Sequence, residues 1–576
     1  MAVEVEVDLV EHLSDLLASG DTRSVKAMIN ESAFETVLRT RANDVIPIVS
    51  YYINEEAMQE NPAVFRYSEK VLQKCAESGN PKECLMEYLA QIESLDVIKF
   101  KICLKPIQTT LLRIPDRKSP LMQCVFNAIY TLINSLPLPR YRHLDEKSKL
   151  LLDCDEDVQR IRDIYSLIVM FYEPFVNEIS DNSSADKRTK SVRQVLLQAL
   201  LQLLGNPIVH VDLKYNETES STLSRLVFKI VAFILKLQSD PLALLLLVEN
   251  EELVSVDEER AFVHEFSSNE IKFSDLSLSS FFYLILCENM CKSFHYVYNK
   301  QYVYHNCLRL AKTLLRYKET LVLQKGLLLA KVMMEQIEAG SMDFTHLASS
   351  THKEIIELLS NIAVYHKVKE DRRLAAELIK KHFCTFDVKG QFYILLNVCK
   401  NPQHPNITGY FTTFFTDSVR KTFINEEYIE YFTGKRLFDL LCTFCLLIEG
   451  VETDLIENKD QILSALNLII FLTRRDRNNF SGVWKYITSI SKTFLDPLRE
   501  AVDLSRAHYK LQLRSLDDPL KTEDEADLFV SVGGQMLDQM STEDKQTILN
   551  AGLTVFDLIE HLLSRANECV ADKPQL

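Results

Sequence analysis

Glycine and proline are scarce in this 576-residue chain, at 13 and 16 residues, about a third to a half of ordinary usage. That shortage leaves little for β-turns or for loops whose backbone amides cradle phosphate. Positive charge is in the minority too: 65 Lys and Arg stand against 81 Asp and Glu, a formal net charge of −16. Such a balance repels phosphate backbones and anionic headgroups, and argues against nucleic acid and membrane surfaces as partners. Long apolar runs are missing as well. The stretches from Leu226 to Leu237 and from Leu242 to Val248 are broken by Lys229, Lys236, Asp240 and Glu249, short of the roughly 20 residues a bilayer demands. At the N-terminus, Glu4, Glu6 and Asp8 occupy positions where a signal peptide needs positive charge before an apolar stretch, so the expected location is the cytoplasm, with nuclear access open.

The 13 cysteines are an odd number scattered among leucines, which reads as small buried hydrophobes rather than as disulfides. The glycosylation triplets at Asn30, Asn182, Asn216, Asn406 and Asn479 need a secretory route and carry no weight here.

What fills the chain is apolar residues at helical spacing, as at Leu9, Leu13, Leu16 and Leu17 or at Ile355, Ile356, Leu359, Ile362 and Ala363. A chain this long exceeds what one core supports. The expected fold is therefore all-α, a HEAT/armadillo-like helical-repeat solenoid (an α-α superhelix). In Asn80-Pro81-Lys82-Glu83, Asn80 reads as a cap, Pro81 as the first helical position and Glu83 as the return arm of a capping box, starting a helix that runs to Ile92. Asp371 reads as the cap of another amphipathic helix. Four helices are expected at about 353–366, 371–383, 387–400 and 406–416, joined by short polar loops. Mobile loops are expected at 181–191 and 516–527, and a last helix from Thr542 to Cys569 that folds back onto the array or caps it. Rising Ser and Asn content around Ser267 to Ser280 suggests a seam between two helical domains, 1–270 and 271–576.

The search for chemistry finds little. Thr433-Gly434-Lys435-Arg436 lacks the upstream glycine and the hydroxyl of a phosphate loop. Cys287, Cys291 and His295, with His305 and Cys307 behind, have helical spacing that would line one face, yet structural zinc sites favour ligand pairs on tight turns, so buried small residues explain them better. Cys442 and Cys445 have CxxC spacing inside an apolar run that reads as a core helix. The carboxylates Asp153, Asp155, Glu156 and Asp157, and Glu249, Glu251 and Glu252, read as solvated helix starts. No catalytic, cofactor or metal residue is expected. Arg474-Arg475-Asp476-Arg477 follows an apolar helix, where it caps a C-terminus or forms a patch for an acidic partner. Trp484, the only tryptophan, reads equally as core or as binding hot spot. The aromatics from Tyr410 to Phe415 read as a groove or as a packed repeat junction.

Residues Gly450-Val451-Glu452-Thr453-Asp454-Leu455-Ile456-Glu457-Asn458 and Ser464-Ala465-Leu466-Asn467-Leu468 resemble the signature of the glomulin family. The likeness continues through Gly482-Val483-Trp484, Phe494-Leu495-Asp496-Pro497-Leu498, Ser505-Arg506-Ala507-His508-Tyr509 and Phe556-Asp557-Leu558-Ile559-Glu560. Upstream it thins to islands at Asn80-Pro81-Lys82-Glu83, Leu136-Pro137-Leu138-Pro139 and Pro174-Phe175-Val176. The resemblance, to the animal-type branch of a family that includes the plant aberrant-root-formation protein, implies a non-enzymatic, monomeric inhibitor of cullin-RING ubiquitin ligases. Its C-terminal repeats would grip the RING-box subunit of the ligase, next to the cullin, and cover the surface where the ubiquitin-conjugating enzyme docks. The partner-binding residues expected on that basis are Tyr431, Phe432, Arg436, Asn467, Arg474, Arg475, Trp484, His508 and Tyr509. A helical-repeat adaptor in trafficking or transport is the alternative that the architecture alone allows.

Overall fold

The computed structural model describes residues 2–114, 118–139, 152–181, 187–214, 221–246, 274–291, 298–400, 404–516, 531–532, 535–536 and 542–572. These divide into two compact units, Met1–Val332 and Met333–Leu576, where the sequence suggested a division at 270/271. Residues 247–273, at that expected seam, lie outside the described residues.

The first unit runs through α1 (Ala2–Ser19), α2 (Thr22–Ile29), α3 (Ser32–Ser50), α4 (Glu55–Glu60), α5 (Pro62–Ser78), α6 (Pro81–Ile92), α7 (Val97–Leu112) and α8 (Lys118–Ser135). It continues with α9 (Glu156–Asp181), α10 (Lys187–Gln202), α11 (Thr222–Leu237), α12 (Asp275–Leu286) and α13 (Lys300–Leu315), and ends within α14 (Thr320–Gln336). Packing joins helices one or two apart in the chain: α6 on α7 and α12 on α13, and α3 on α5, α8 on α10 and α9 on α11. The short loop between Ile92 and Val97 makes α6 and α7 an antiparallel pair, the HEAT-like unit.

Local chemistry explains the element ends. Asn80 caps α6 by accepting from the Lys82 amide at 3.2 Å, and Pro81 sits at the first helical position. Glu83, however, takes the Asn80 side-chain amide at 2.8 Å rather than the Asn80 backbone N–H. Asp155 caps α9 through the amides of Asp157 and Val158. Of the expected 181–191 loop, Asp181 still belongs to α9, residues 187–191 belong to α10, and residues 182–186 lie outside the described residues. Likewise α12 ends at Leu286, so Cys287 is its C-cap and Cys291 lies beyond it, not on one apolar helix face with it. His295 and the Glu249, Glu251, Glu252 group lie outside the described residues.

The second unit contains α15 (Ser350–Tyr365), α16 (Lys369–Thr385), α17 (Val388–Lys400), α18 (Pro405–Thr422), α19 (Ile429–Phe432) and α20 (Gly434–Phe444). After these come α21 (Lys459–Arg475), α22 (Ile487–Ile490), a π-helical turn Ser491–Leu495, α23 (Asp496–Leu516) and α24 (Thr542–Ala571). A two-residue antiparallel ladder pairs Ser531–Val532 with Gln535–Met536. Of the expected 516–527 loop, Leu516 ends α23 and residues 517–530 lie outside the described residues. The pairs are α15 with α16, α18 with α21, and α24 with both α21 and α23, so the last helix folds back onto its unit.

The helix expected at 406–416 runs on to Thr422 because Ser418, Val419 and Thr422 still face the core. Asp371 lies inside α16, buried, 3.3 Å from His366 Nδ1, and does not cap it. The turn at Asp454 bonds the amides of Ile456 and Glu457, but α21 begins only at Lys459. The aromatic run of α18 is a packed junction: Phe414 stacks on Phe383 at 5.2 Å, and Phe415 on Phe444 at 5.4 Å. Each such ring removed from water contributes about 2–3 kcal/mol. Gly409 brings α18 against α21, since a Cβ there would lie 2.7 Å from the Asp460 carbonyl carbon.

Candidate protein-binding surface

The apolar face of α21 is buried against α18 and α24, and the helix ends in Arg474 and Arg475, both exposed. Asp476 then turns the chain. It is buried, and its carboxylate accepts from Phe480 N at 2.6 Å, Ser481 N at 2.7 Å and Ser481 Oγ at 2.5 Å. Its carbonyl accepts from the Trp484 indole Nε1 at 2.6 Å. Two left-handed residues, Asn479 (φ 53°) and Gly482 (φ 79°), let the turn close, and Gly434 N bonds Ser481 O at 2.8 Å, tying it to the start of α20.

This turn settles Trp484. At 2% exposure it is core, so the hot-spot reading is replaced by a structural one: the indole fixes the turn that directly follows Arg474 and Arg475. Phe432 and Tyr509 are corrected in the same way. Phe432 is buried 6.0 Å from Phe392, and Tyr509 is buried 4.9 Å from Phe556. Tyr509 also lies against Gly552, where a Cβ would come within 2.5 Å of its ring, and burial pushes its phenol up to about 12.

The remaining expected residues reach the surface in separate places. Arg474 and Arg475 line one depression of about 370 Å³ with Arg477, Phe423 and Phe480. Tyr431 lines a larger one of about 700 Å³ with Phe344, Asp387, Lys389 and Glu430. Beside it the Arg436 guanidinium lies 4.8 Å from the Tyr431 ring centroid and bonds Glu430 at 3.0 Å. Asn467 is exposed on α21, and His508 is exposed on α23 between the exposed Leu504 and Leu511, pairing with Gln512 at 2.8 Å.

Sequence reading missed Phe423, Phe480 and the neighbouring Ile424. Phe480 is 51% and Ile424 83% exposed, and an aromatic in the polar stretch Asn478-Asn479-Phe480-Ser481 was the available signal. The CxxC pair sits at the end of α20, with Cys442 exposed and Cys445 buried. Burial raises both thiols, against nucleophilic use. Among the described residues no helix is long and apolar enough to cross a membrane, and no His, Cys, Asp and Glu cluster could hold a metal ion.

A family model described as an uncharacterised protein family, YAP/Alf4/glomulin, matches residues 36–548. Glomulin of Mus musculus is 22% identical over 569 residues, covering 97% of this chain and 92% of that protein. Glomulin of Homo sapiens is 22% identical over 504 residues, covering 86% and 82%. Among solved structures, importin beta shares 10% identity over 96% of this chain and 77% of its own, at a TM-score of 0.20.

Proposed function

The chain belongs to the YAP/Alf4/glomulin family, and from that premise we propose that it is a non-enzymatic inhibitor of cullin-RING ubiquitin ligases. Its second unit holds the RING-box subunit, beside the cullin, and keeps the loaded conjugating enzyme from docking. The action is steric: no bond is made or broken, and the ligase stays assembled while its working face is covered. The observation that carries this reading is the family match, which spans most of both units and takes in every exposed candidate residue.

The surface suits the task. A stable complex buries roughly 800 Å² on each partner, with a few aromatic and arginine side chains dominating its energy. Arg436 stacked on Tyr431, and Arg474 and Arg475 beside Phe480, are groups of that type. Asn467 and His508 add polar contacts at the rim, while Phe432, Trp484 and Tyr509 act from the core by holding these groups in place. The net charge of −16 favours encounter with the basic parts of a RING surface. The protein works as a cytoplasmic monomer in this reading.

The test is co-purification of the full chain with a RING-box–cullin complex, followed by a ubiquitin-chain assay. A stable complex with suppressed chain formation is expected. Absence of a complex, or undiminished chain formation at saturating protein, overturns the proposal.

A further inference from the structure

The depression at the end of α21 combines three arginines with two phenylalanine rings in a chain whose net charge is strongly negative. Its only lining carboxylate among the described residues, Asp476, has both oxygens bonded within its own turn and faces inward. At the rim, Arg477 meets Asp572 at 3.4 Å, an exposed and solvent-screened pair. Neither Arg474 nor Arg475 meets a carboxylate among the described residues. Arg474 Nε lies 3.3 Å from Cys569 Sγ, and the Arg475 guanidinium 5.7 Å from the Phe423 ring centroid. Complementing the helix dipole accounts for cations in the last turn. It accounts neither for Arg477, past the helix end, nor for Phe480, half exposed with its ring 5.9 Å from Phe423.

We propose that this depression receives an acidic segment of a bound protein, with a carboxylate side chain seated on Arg474 and Arg475 and a neighbouring apolar side chain on Phe423 and Phe480. Guanidinium groups form paired, charge-assisted hydrogen bonds with carboxylates. The two rings supply the apolar contact that a free anion leaves unused. A long polyanion is disfavoured by the net charge of −16 on the chain as a whole. The turn is braced by Trp484 and by the Gly434–Ser481 bond, so the arginines are positioned before the ligand arrives. The inference rests on the reading that the second unit docks a protein, and not on that protein being a RING-box subunit.

The experiment is fluorescence anisotropy of the full chain with a labelled synthetic peptide that alternates glutamate and leucine. Saturable binding is expected, weakening with salt, lost by about tenfold or more in Arg474→Glu with Arg475→Glu, and reduced by Phe480→Ser, with thermal melting unchanged. Arg474→Gln with Arg475→Gln replaces the charge reversal should the latter fold poorly. Undiminished binding by these variants, or equal binding of a glutamine-for-glutamate peptide, overturns the inference. So does complete displacement by inorganic phosphate with Phe480→Ser inert, the behaviour of a simple anion site. A native chain that takes the RING-box subunit but not the peptide sinks this inference alone. One that takes the peptide but not the RING-box subunit sinks the ligase reading alone.

Discussion

In residues 1–332 the Lys325 ammonium is enclosed, 5% exposed, donating to the carbonyls of Val209 at 2.7 Å and Val211 at 2.8 Å. In residues 333–576, Arg474 and Arg475 stand exposed at the end of α21, before a turn whose own carboxylate, Asp476, is bonded inward. Burial pulls Lys325 down to about 8, opposed by Asp212 and Glu288, so near neutral pH it remains a cation used entirely within the fold. Lys325 therefore supports architecture, while the arginines support recognition. What separates the two cases is whether backbone carbonyls or solvent surround the charge.

The sharpest way to break that contrast is to remove the support beneath the arginines. Trp484→Ala should cost about 4 kcal/mol of stability, from lost burial and the lost bond to Asp476. Chemical denaturation measures this, and a loss of partner binding without loss of stability would return Trp484 to the surface role.

Acid should act next most strongly. His382 is fully buried, stacked on His352 at 5.3 Å, and burial holds its pKa at about 4, against an ordinary 6.5. Between those values the unfolded chain binds a proton that the folded chain refuses. Stability therefore falls as pH drops from about 6.5 towards 4, by on the order of a few kcal/mol, and levels off below. Denaturant midpoints measured across that range should show the slope, and His382→Leu should flatten it.

Lys325→Met should destabilise the first unit by roughly 2 kcal/mol, because buried carbonyls lose their donor. Binding by the second unit should be unaffected. Proteolysis and calorimetry of the variant, with a parallel binding measurement, check both halves of that statement. The smallest effect is expected of Arg474→Ala with Arg475→Ala, within about 0.5 kcal/mol in stability, against a clear loss of partner binding. A melting temperature that drops with binding would make the arginines structural, as Lys325 is.

Much of the helical order is legible in the residues. The Asn80 cap with Pro81 started a helix where expected, and the last helix begins at Thr542 and folds back. The two-unit division was not legible at its place, since Ser and Asn content near 267–280 reports composition and not packing. Nor could Phe432 be read as core, because α19 has only four residues and carries no periodicity. Trp484 was undecidable for a different reason. Its burial depends on a turn built by Asp476 side-chain bonds, and such an irregular turn has no sequence period. The arginine depression was half legible: Arg474 and Arg475 stand together in sequence, whereas Phe423 reaches them from the end of α18 only after α18 and α21 have packed.

The most direct measurement is a competition experiment in which the full chain is titrated into a RING-box–cullin complex carrying a labelled conjugating enzyme. Displacement of the enzyme at a stoichiometry of one chain per RING-box subunit, lost in the Arg474→Glu, Arg475→Glu variant, is the expected result. A conjugating enzyme that stays bound at saturation contradicts the account.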